Sequence, residues 1–214
     1  MKLFNWSGAP GEVLSGSAAA SGTGQSGGLA LTTTAAEVLT GASDLDFTQQ
    51  TSSGTGTSAN YWIMTLPLGS NIIRFNVVFN LKTADADVLY WLLTMTDYDG
   101  TNISSPGLRL NSNYGATEQV EYLNSSDAWT DSGLTYPADL ASLYNLFLPM
   151  GFDYDRVNHN YLRMWIGEET LLSTISVKSS ASSVVAHNNF GVSLAGDDTA
   201  SECIVDSISL ENIT

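Results

Sequence analysis

The segment IIRFNVVFNL, residues 72–81, constrains the fold of this chain more than any other stretch. Its odd-numbered residues, from Ile73 to Leu81, are all apolar, whereas Arg74 and Asn76 stand between them. Successive side chains of a pleated strand point to opposite faces of a sheet. The two-residue period therefore predicts a β-strand with one packed face and one face turned to water or to a ligand.

Other segments share this pattern and are bounded by Pro, Gly, Asn or Asp, which break strands. In VLYWLLTMT both faces are apolar at first, which predicts a central strand covered on both sides. A helical turn over residues 138–143 is an alternative for the chain just before YNLFLPMGFDY. The further predicted strands are YWIMTLP, VLYWLLTMT, YNLFLPMGFDY, YLRMWIG, NFGVSL and CIVDSISL.

These strands predict an all-β fold, an antiparallel two-sheet β-sandwich, because the sequence shows neither an ordinary amphipathic helix nor a repeat of fixed period. Residues 61–214 are predicted to form the main sandwich. Residues 1–60 are rich in Gly, Ser and Thr and predict short edge strands with long loops. This N-terminal segment is expected to belong to the same domain, and we consider it a candidate arm that docks on a neighbouring chain.

The charge balance restricts the partners. Seven Lys and Arg oppose 22 Asp and Glu, which gives a formal net charge of −15. Such a protein repels phosphate groups, so neither nucleic acid nor an anionic membrane is an expected partner. The start MKLFNWSGAPGE lacks the apolar run of a secretory signal, so we expect synthesis in the cytoplasm. Cys203, the single cysteine, is predicted to be a small buried apolar side chain.

The order of these segments carries a resemblance. SGGLAL comes early, YLRMWIGEE turns at Gly167, and VDSISL with Asp206 closes the chain. This order resembles the concanavalin A-like or laminin G-like jelly-roll family. The resemblance implies a jelly roll of the kind found in lectins, glycoside hydrolases and structural proteins of tailed bacteriophages.

Low charge, abundant Gly, Ser and Thr, and the absence of a signal favour the bacteriophage group. We therefore predict a non-enzymatic virion structural protein, a capsid decoration or a tail-associated protein. Its expected location is the virion, and its expected partners are other virion proteins and copies of itself. A glycan-binding, lectin-like module for adhesion to the host surface is the alternative interpretation, and a glycoside hydrolase is a third.

A glycan-binding face is predicted on the strand YLRMWIG. Tyr161, Arg163 and Trp165 alternate there with Leu162 and Met164 and are expected on the outward face. Aromatic rings bury apolar area while keeping a polar end accessible, which suits contact with sugars. The same face would equally suit burial against another subunit.

A calcium site is predicted in the loop TDYDGTN, where Asp97, Asp99 and Asn102 lie close together around Gly100. Calcium takes six to eight oxygen ligands, which a turn rich in Asp and Asn supplies. A plain hairpin turn uses the same residue types and is the alternative. No other cofactor is predicted.

No catalytic residues are predicted. A glycosidase needs two carboxyl groups on either side of the scissile bond. Glu168 and Glu169 are adjacent and would point to opposite faces, and Asp153 with Asp155 is expected at a loop. Ser26 in GQSGG matches a nucleophile elbow in spacing but lacks the strand before it and the helix after it. The sequence therefore leads us to expect no enzymatic activity.

Overall fold

The computed structural model describes the backbone of residues 1–6, 17–23, 26–32, 44–50, 53–64, 66, 69–81, 88–111, 119–135, 147–196 and 201–213. All regular structure within these residues is β-strand or turn. The described part of the chain contains no helix long and apolar enough to cross a membrane.

Seventeen strands lie within the described residues, and they follow one another in chain order. The first nine are β1 (Lys2–Trp6), β2 (Ser17–Thr23), β3 (Ser26–Thr32), β4 (Asp44–Gln50), β5 (Ser53–Met64), β6 (Ile72–Leu81), β7 (Val88–Tyr98), β8 (Asn102–Ser104) and β9 (Gly107–Asn111). The remaining eight are β10 (Gln119–Leu123), β11 (Trp129–Thr135), β12 (Leu148–Asp155), β13 (Asn160–Ile166), β14 (Glu169–Ser176), β15 (Ser179–Ala181), β16 (His187–Gly196) and β17 (Ser201–Asn212).

The strands form two antiparallel sheets. Sheet A has the order β14-β13-β12-β6-β17-β4-β3, with β1 also paired to β17. Sheet B has the order β11-β10-β9-β7-β16-β5-β2, and β8 pairs with both β7 and β15. The predicted all-β, antiparallel two-sheet sandwich is therefore confirmed.

Strand β6 begins and ends where the two-residue period predicts. Ile73, Phe75, Val77 and Phe79 are fully buried, whereas the side chains between them on the other face are more accessible. β6 lies between β12 and β17, so its apolar face lies at the centre of sheet A.

Aromatic contacts join the two sheets around Phe75. Its ring meets Phe152 of β12 edge-on at 5.8 Å and Phe190 of β16, in the opposite sheet, at 5.7 Å. Edge-to-face pairs at this separation are favourable beyond the area they bury. These rings connect sheet A to sheet B through the middle of the core.

A β-bulge in β13 changes which of its side chains face the core. Asp153 of β12 pairs with Arg163, but the next residue of β12, Tyr154, pairs with Tyr161, so Leu162 is an extra residue. An extra residue reverses the alternation beyond it. Tyr161 consequently shares the core side with Met164, and its predicted place on the outward face beside Arg163 is wrong.

Tyr161 spans the core and bonds to the backbone of sheet B. Its hydroxyl accepts a hydrogen bond from Gly107 N at 2.7 Å, and the carbonyl oxygens of Gly107 and Leu123 lie 2.8 and 3.1 Å away. Burial raises the pKa of this tyrosine. The side chain is fully buried, which leaves it no contact with a ligand in solvent.

Other predictions fall partly inside the described residues. Strand β7 is central in sheet B, with Trp91, Leu93 and Met95 fully buried, but Tyr90 and Leu92 on its other face are only half-buried. Strand β12 begins at Leu148, while residues 138–143, where a helical turn is the alternative, lie outside the described residues.

The turn at Gly167 and the burial of Cys203 agree with the sequence. Gly167 adopts a φ of 57°, a region that favours glycine, and its N–H donates to Pro149 O at 2.8 Å. Cys203 is a free thiol, fully buried in β17.

The described strands within residues 1–60 pair with this chain's own sheets. β1 and β4 lie beside β17, β3 lies beside β4, and β2 lies beside β5. A docking arm in this segment stays a prediction.

Replacing Tyr161 with Phe tests the contact between the sheets. The substitution keeps the ring but leaves buried backbone groups of sheet B without their partner, so we expect a loss of about 1–3 kcal/mol in the free energy of unfolding. Tyr122→Phe is the matched control because Tyr122 is half-buried and packs edge-on against Tyr161. Chemical denaturation of both variants measures the difference, and equal stabilities would contradict the hydroxyl's role.

Candidate functional site

A groove of about 300 Å³ lies on the face of sheet A that points away from the core. The groove crosses four neighbouring strands of sheet A, β13, β12, β6 and β17. On each strand, side chains that point outward alternate with side chains that point into the core. The groove is lined by Arg74, Asn76, Arg163, Trp165, Ser209 and Glu211.

Charged side chains of alternating sign cross this face in one row. Arg163 of β13 pairs with Asp153 of β12, and Asp153 pairs with Arg74 of β6. Arg74 in turn pairs with Glu211 of β17, and Glu211 pairs with Lys2 of β1. Opposite charges directly across neighbouring strands stabilise a sheet. The row is thus a polar band that runs over five strands and forms one wall of the groove.

The pair of Arg74 and Asp153 is the best-defined contact of the row. Arg74 Nε donates to Asp153 Oδ1 and Nη2 donates to Oδ2, both at 2.8 Å. The hydrogen bond to Asp153 raises the pKa of Arg74, against the opposing effect of burial. Bidentate geometry of this kind fixes both side chains. Asp153 is only 6% exposed, so both of its oxygens are committed to Arg74.

Trp165 forms the floor of the groove and is held on three sides. Its Nε1 donates to Asn76 Oδ1 at 3.1 Å. The guanidinium groups of Arg163 and Arg74 lie over its ring at 5.0 and 5.5 Å from the centroid. A Cβ on Gly151 would come within 2.5 Å of the indole, so the absent side chain at this position is what lets the ring lie across β12.

Of the three residues predicted to bind a glycan, the structure brings two together. Arg163 and Trp165 line the groove, whereas Tyr161 lies in the core. Trp165 is 7% exposed, so only a small part of its indole is accessible to a ligand.

The other groove residues are not predictable as a site from the sequence. Arg74 and Asn76 belong to the polar face that the pattern predicts for β6, but nothing in one strand indicates its neighbours. The alternation of Ser209 and Glu211 with Ile208 and Leu210 was the corresponding signal in β17.

Asp97 and Asp99, two of the predicted calcium ligands, each take part in hydrogen bonds within the chain. Asp97 is 1% exposed and accepts hydrogen bonds from Arg156 Nε at 2.9 Å, Arg156 Nη2 at 2.8 Å and Asn188 Nδ2 at 2.9 Å. No group of three or more His, Cys, Asp or Glu able to hold a metal ion occurs among the described residues. Calcium at this loop stays a prediction.

Asp99 instead organises the turn between β7 and β8. Its Oδ1 accepts hydrogen bonds from Thr101 N at 2.7 Å and from Asn102 N at 2.6 Å. Partial burial alone would raise the pKa of Asp99, but the hydrogen bonds from Asn102 and Thr101 outweigh it and lower that pKa to about 2. This is the geometry of an Asx turn.

A serine and a histidine come together at the end of the sandwich. The hydroxyl groups of Ser104 and Tyr154 lie 2.9 and 3.1 Å from His159 Nδ1. Ser104 is 1% exposed and Tyr154 is fully buried, so a substrate in solvent does not reach either hydroxyl. The bond to Ser104 of β8 fastens the β12–β13 hairpin to sheet B, and the N–H of Val177, the residue after β14, donates to His159 O at 2.7 Å.

A second aromatic cluster lies on the outward face of sheet B. Arg109 lies over the rings of Trp129 and Tyr90, at 4.5 and 5.7 Å from their centroids. Its Nε also donates to Glu121 Oε2 at 2.6 Å. The guanidinium is therefore already paired, which distinguishes this cluster from the groove.

Comparison with known proteins supports the fold. No protein-family model matches the sequence, and no curated protein matches it. A carbohydrate esterase of the Shiga toxin-encoding bacteriophage phi24B has a similar structure, with a TM-score of 0.62 and 16% identity over 100% of this chain and 99% of that chain.

Two further structures share the sandwich. The cellulose-induced protein Cip1 has a TM-score of 0.53 and 15% identity over 91% of this chain and 90% of its own. A glycosidic hydrolase has a TM-score of 0.51 and 8% identity over 99% of this chain and 96% of its own. The resemblance to concanavalin A-like jelly rolls is confirmed at the level of the fold.

The expectation that excludes enzymatic activity for this chain is wrong. Its sandwich is shared, nearly from end to end, with a carbohydrate esterase and a glycosidic hydrolase. The expectation depended on the absence of paired acids within one strand. Asp153 and Glu211 come from different strands and flank Arg74, an arrangement that spacing along the chain does not reveal.

The low pKa of Asp99 predicts a pH effect on stability. Because folding lowers this pKa, the carboxylate stabilises the protein fully above the ordinary value of 3.8, and the contribution is lost as the pH falls toward 2. We expect wild type to lose more stability than Asp99→Asn between pH 4 and pH 2. Melting temperatures across this range measure the difference, and parallel curves would contradict it.

Proposed function

We propose that the protein binds carbohydrate through the groove on the outward face of sheet A. The observation that carries this proposal is the grouping of hydrogen-bonding side chains around the indole of Trp165 in one groove of the sheet. Sugars present many hydroxyl groups, which planar amide, guanidinium and carboxylate groups bind with defined geometry. The three similar structures include two proteins that are named for action on carbohydrate or its glycosides.

The groove is prepared for a polar ligand before the ligand arrives. Asn76 is oriented by Trp165, and Arg74 by Asp153. Ligand binding then costs little side-chain entropy, because these groups are already ordered. Ser209, half-buried on β17, adds a hydroxyl at the opposite wall.

Filling the groove tests the proposal. Ser209→Trp places a large ring in the groove, and we expect it to abolish binding on a glycan array that wild type recognises. Thr174→Trp is the matched control because Thr174 is exposed on the edge strand β14 and does not line the groove. Wild type without any binding to the array would refute the proposal, as would binding that Ser209→Trp leaves intact.

Turnover of the bound glycan is a second candidate function, favoured by Glu211, the carboxylate that lines the groove. Glu211 is half-buried and lies opposite Arg74 in the register of β17 and β6. Asp153 is buried with both oxygens bonded to Arg74, so Glu211 is the acid that a substrate in the groove would meet.

Glu211→Gln separates binding from turnover. If the groove is hydrolytic, wild type releases reducing sugar from the glycans that it binds, and Glu211→Gln still binds them but does not cleave them. Asp127→Asn is the control for the loss of one negative charge, since Asp127 lies in an exposed pair with Lys178. Binding without release of sugar by wild type would reject the hydrolytic candidate and leave the binding proposal intact.

A bacteriophage particle is the setting that we propose for this module, as a capsid decoration or a tail-associated protein. The similar esterase comes from a bacteriophage, which supports this setting. Other virion proteins and copies of this chain would then be its partners, with the glycan as the external ligand. Copurification with assembled particles tests the location, and its absence from purified particles would refute it.

A further inference from the structure

We propose that the groove selects sugars that carry a carboxylate, and that Arg163 is the residue that binds this group. The inference depends on the proposed carbohydrate binding and names the class of ligand. It is based on the positive charge of Arg163, which no carboxylate of the described residues pairs with.

Arg163 differs from the other arginines of the chain. The sequence contains four, and the structure describes all of them. Three form ion pairs with a carboxylate, at 2.6 to 2.8 Å. The pairs are Arg74 with Asp153, Arg109 with Glu121, and Arg156 with Asp97.

Arg163 has no such carboxylate within the described residues. Its polar contact is Nη2 to Thr170 Oγ1 at 3.5 Å, which is long for a hydrogen bond. Its Nε is buried and has no hydrogen-bond acceptor among the described residues. The charge of this guanidinium therefore lacks a carboxylate partner in that part of the chain, and a ligand carboxylate bound at the Nη groups would provide one.

The acid nearest in the sheet does not satisfy Arg163. Asp153 is its direct partner in the register of β12 and β13. Both oxygens of Asp153 accept hydrogen bonds from Arg74, however. The two arginines compete for one carboxylate, and the geometry leaves Arg163 facing the groove beside Trp165.

A carboxylate group on a sugar would supply the partner that Arg163 lacks among the described residues. Its two oxygens suit the planar fork of a guanidinium, which binds carboxylates in a bidentate manner. Trp165 keeps the guanidinium over its ring, which limits the freedom of the side chain before binding.

The overall charge of −15 sets a condition on the ligand. A long polyanion would lie close to many negative charges of the protein and would be repelled by them. Charges farther than about 8 Å from a short ligand are screened at physiological ionic strength. A short glycan with one or a few carboxylates senses mainly the nearby cation. Short oligosaccharides are therefore the appropriate probes.

Hexuronates and sialic acids are two sources of the same carboxylate, and separate probes distinguish them. Trigalacturonate is compared with its methyl ester, which has the same backbone without the charge. Sialyllactose is compared with lactose. In one of these two pairs, we expect the charged sugar to bind wild type at least tenfold more tightly than the neutral sugar.

Two variants identify the residue responsible. Arg163→Gln removes the charge and should reduce the affinity for the charged probe about tenfold or more beyond any loss for the neutral one. Arg163→Lys keeps the charge but loses the planar fork, so its affinity for the charged probe should lie between those of wild type and Arg163→Gln. Lys178→Gln makes the same change in net charge at an exposed site outside the groove and should bind as wild type does.

The results separate this inference from the proposed function. Equal affinity of wild type for charged and neutral sugars, abolished in both cases by Ser209→Trp, would overturn the inference and retain the proposed function. An equal loss of both ligands in Arg163→Gln, with an unchanged melting temperature, would also overturn it. If neither the charged nor the neutral sugars bind, the proposed function itself fails at the level of these probes and the inference fails with it.

Discussion

One extra residue in β13, Leu162, decides which side chains of this strand reach the core and which reach the groove. On one side of it, Tyr161 turns inward and bonds to the backbone of sheet B. On the other side, Arg163 and Trp165 turn outward over β12. Without the bulge, regular alternation would place all three on one face. The contact between the sheets and the candidate binding site therefore depend on the same local irregularity.

The groove has a frame of fixed contacts and one arginine, Arg163, without a carboxylate partner among the described residues. The pair of Arg74 and Asp153 fixes one wall, and Gly151 leaves room for the indole of Trp165. These contacts commit Arg74 to Asp153 and the indole N–H to Asn76, whereas Arg163 has no carboxylate partner among the described residues. A site of this kind has a rigid frame and a single group that gains an acceptor when a ligand enters.

The sequence predicted what strict alternation encodes. The bounds of β6 and the burial of Phe75 follow from a period of two, whereas β17 contains a register shift between Val205 and Ser207 that the period does not show. The orientation of Tyr161 was missed because a bulge has no clear signature in one sequence. The ion pair of Asp97 with Arg156 was equally invisible to local patterns, because the two residues are 59 positions apart in the chain. The groove likewise joins distant strands, and local patterns do not show which strands become neighbours.

The row of alternating charges has a consequence for how the chain finds its native pairing. A slip of β17 by two residues along β6 would leave the core-facing side chains on the core face, so burial alone distinguishes it poorly. Such a slip would place Arg74 opposite Ser209 or Ile213 instead of Glu211, and the attraction between opposite charges would be lost. The charges on the outer face thus select against shifted sheets that the hydrophobic core tolerates.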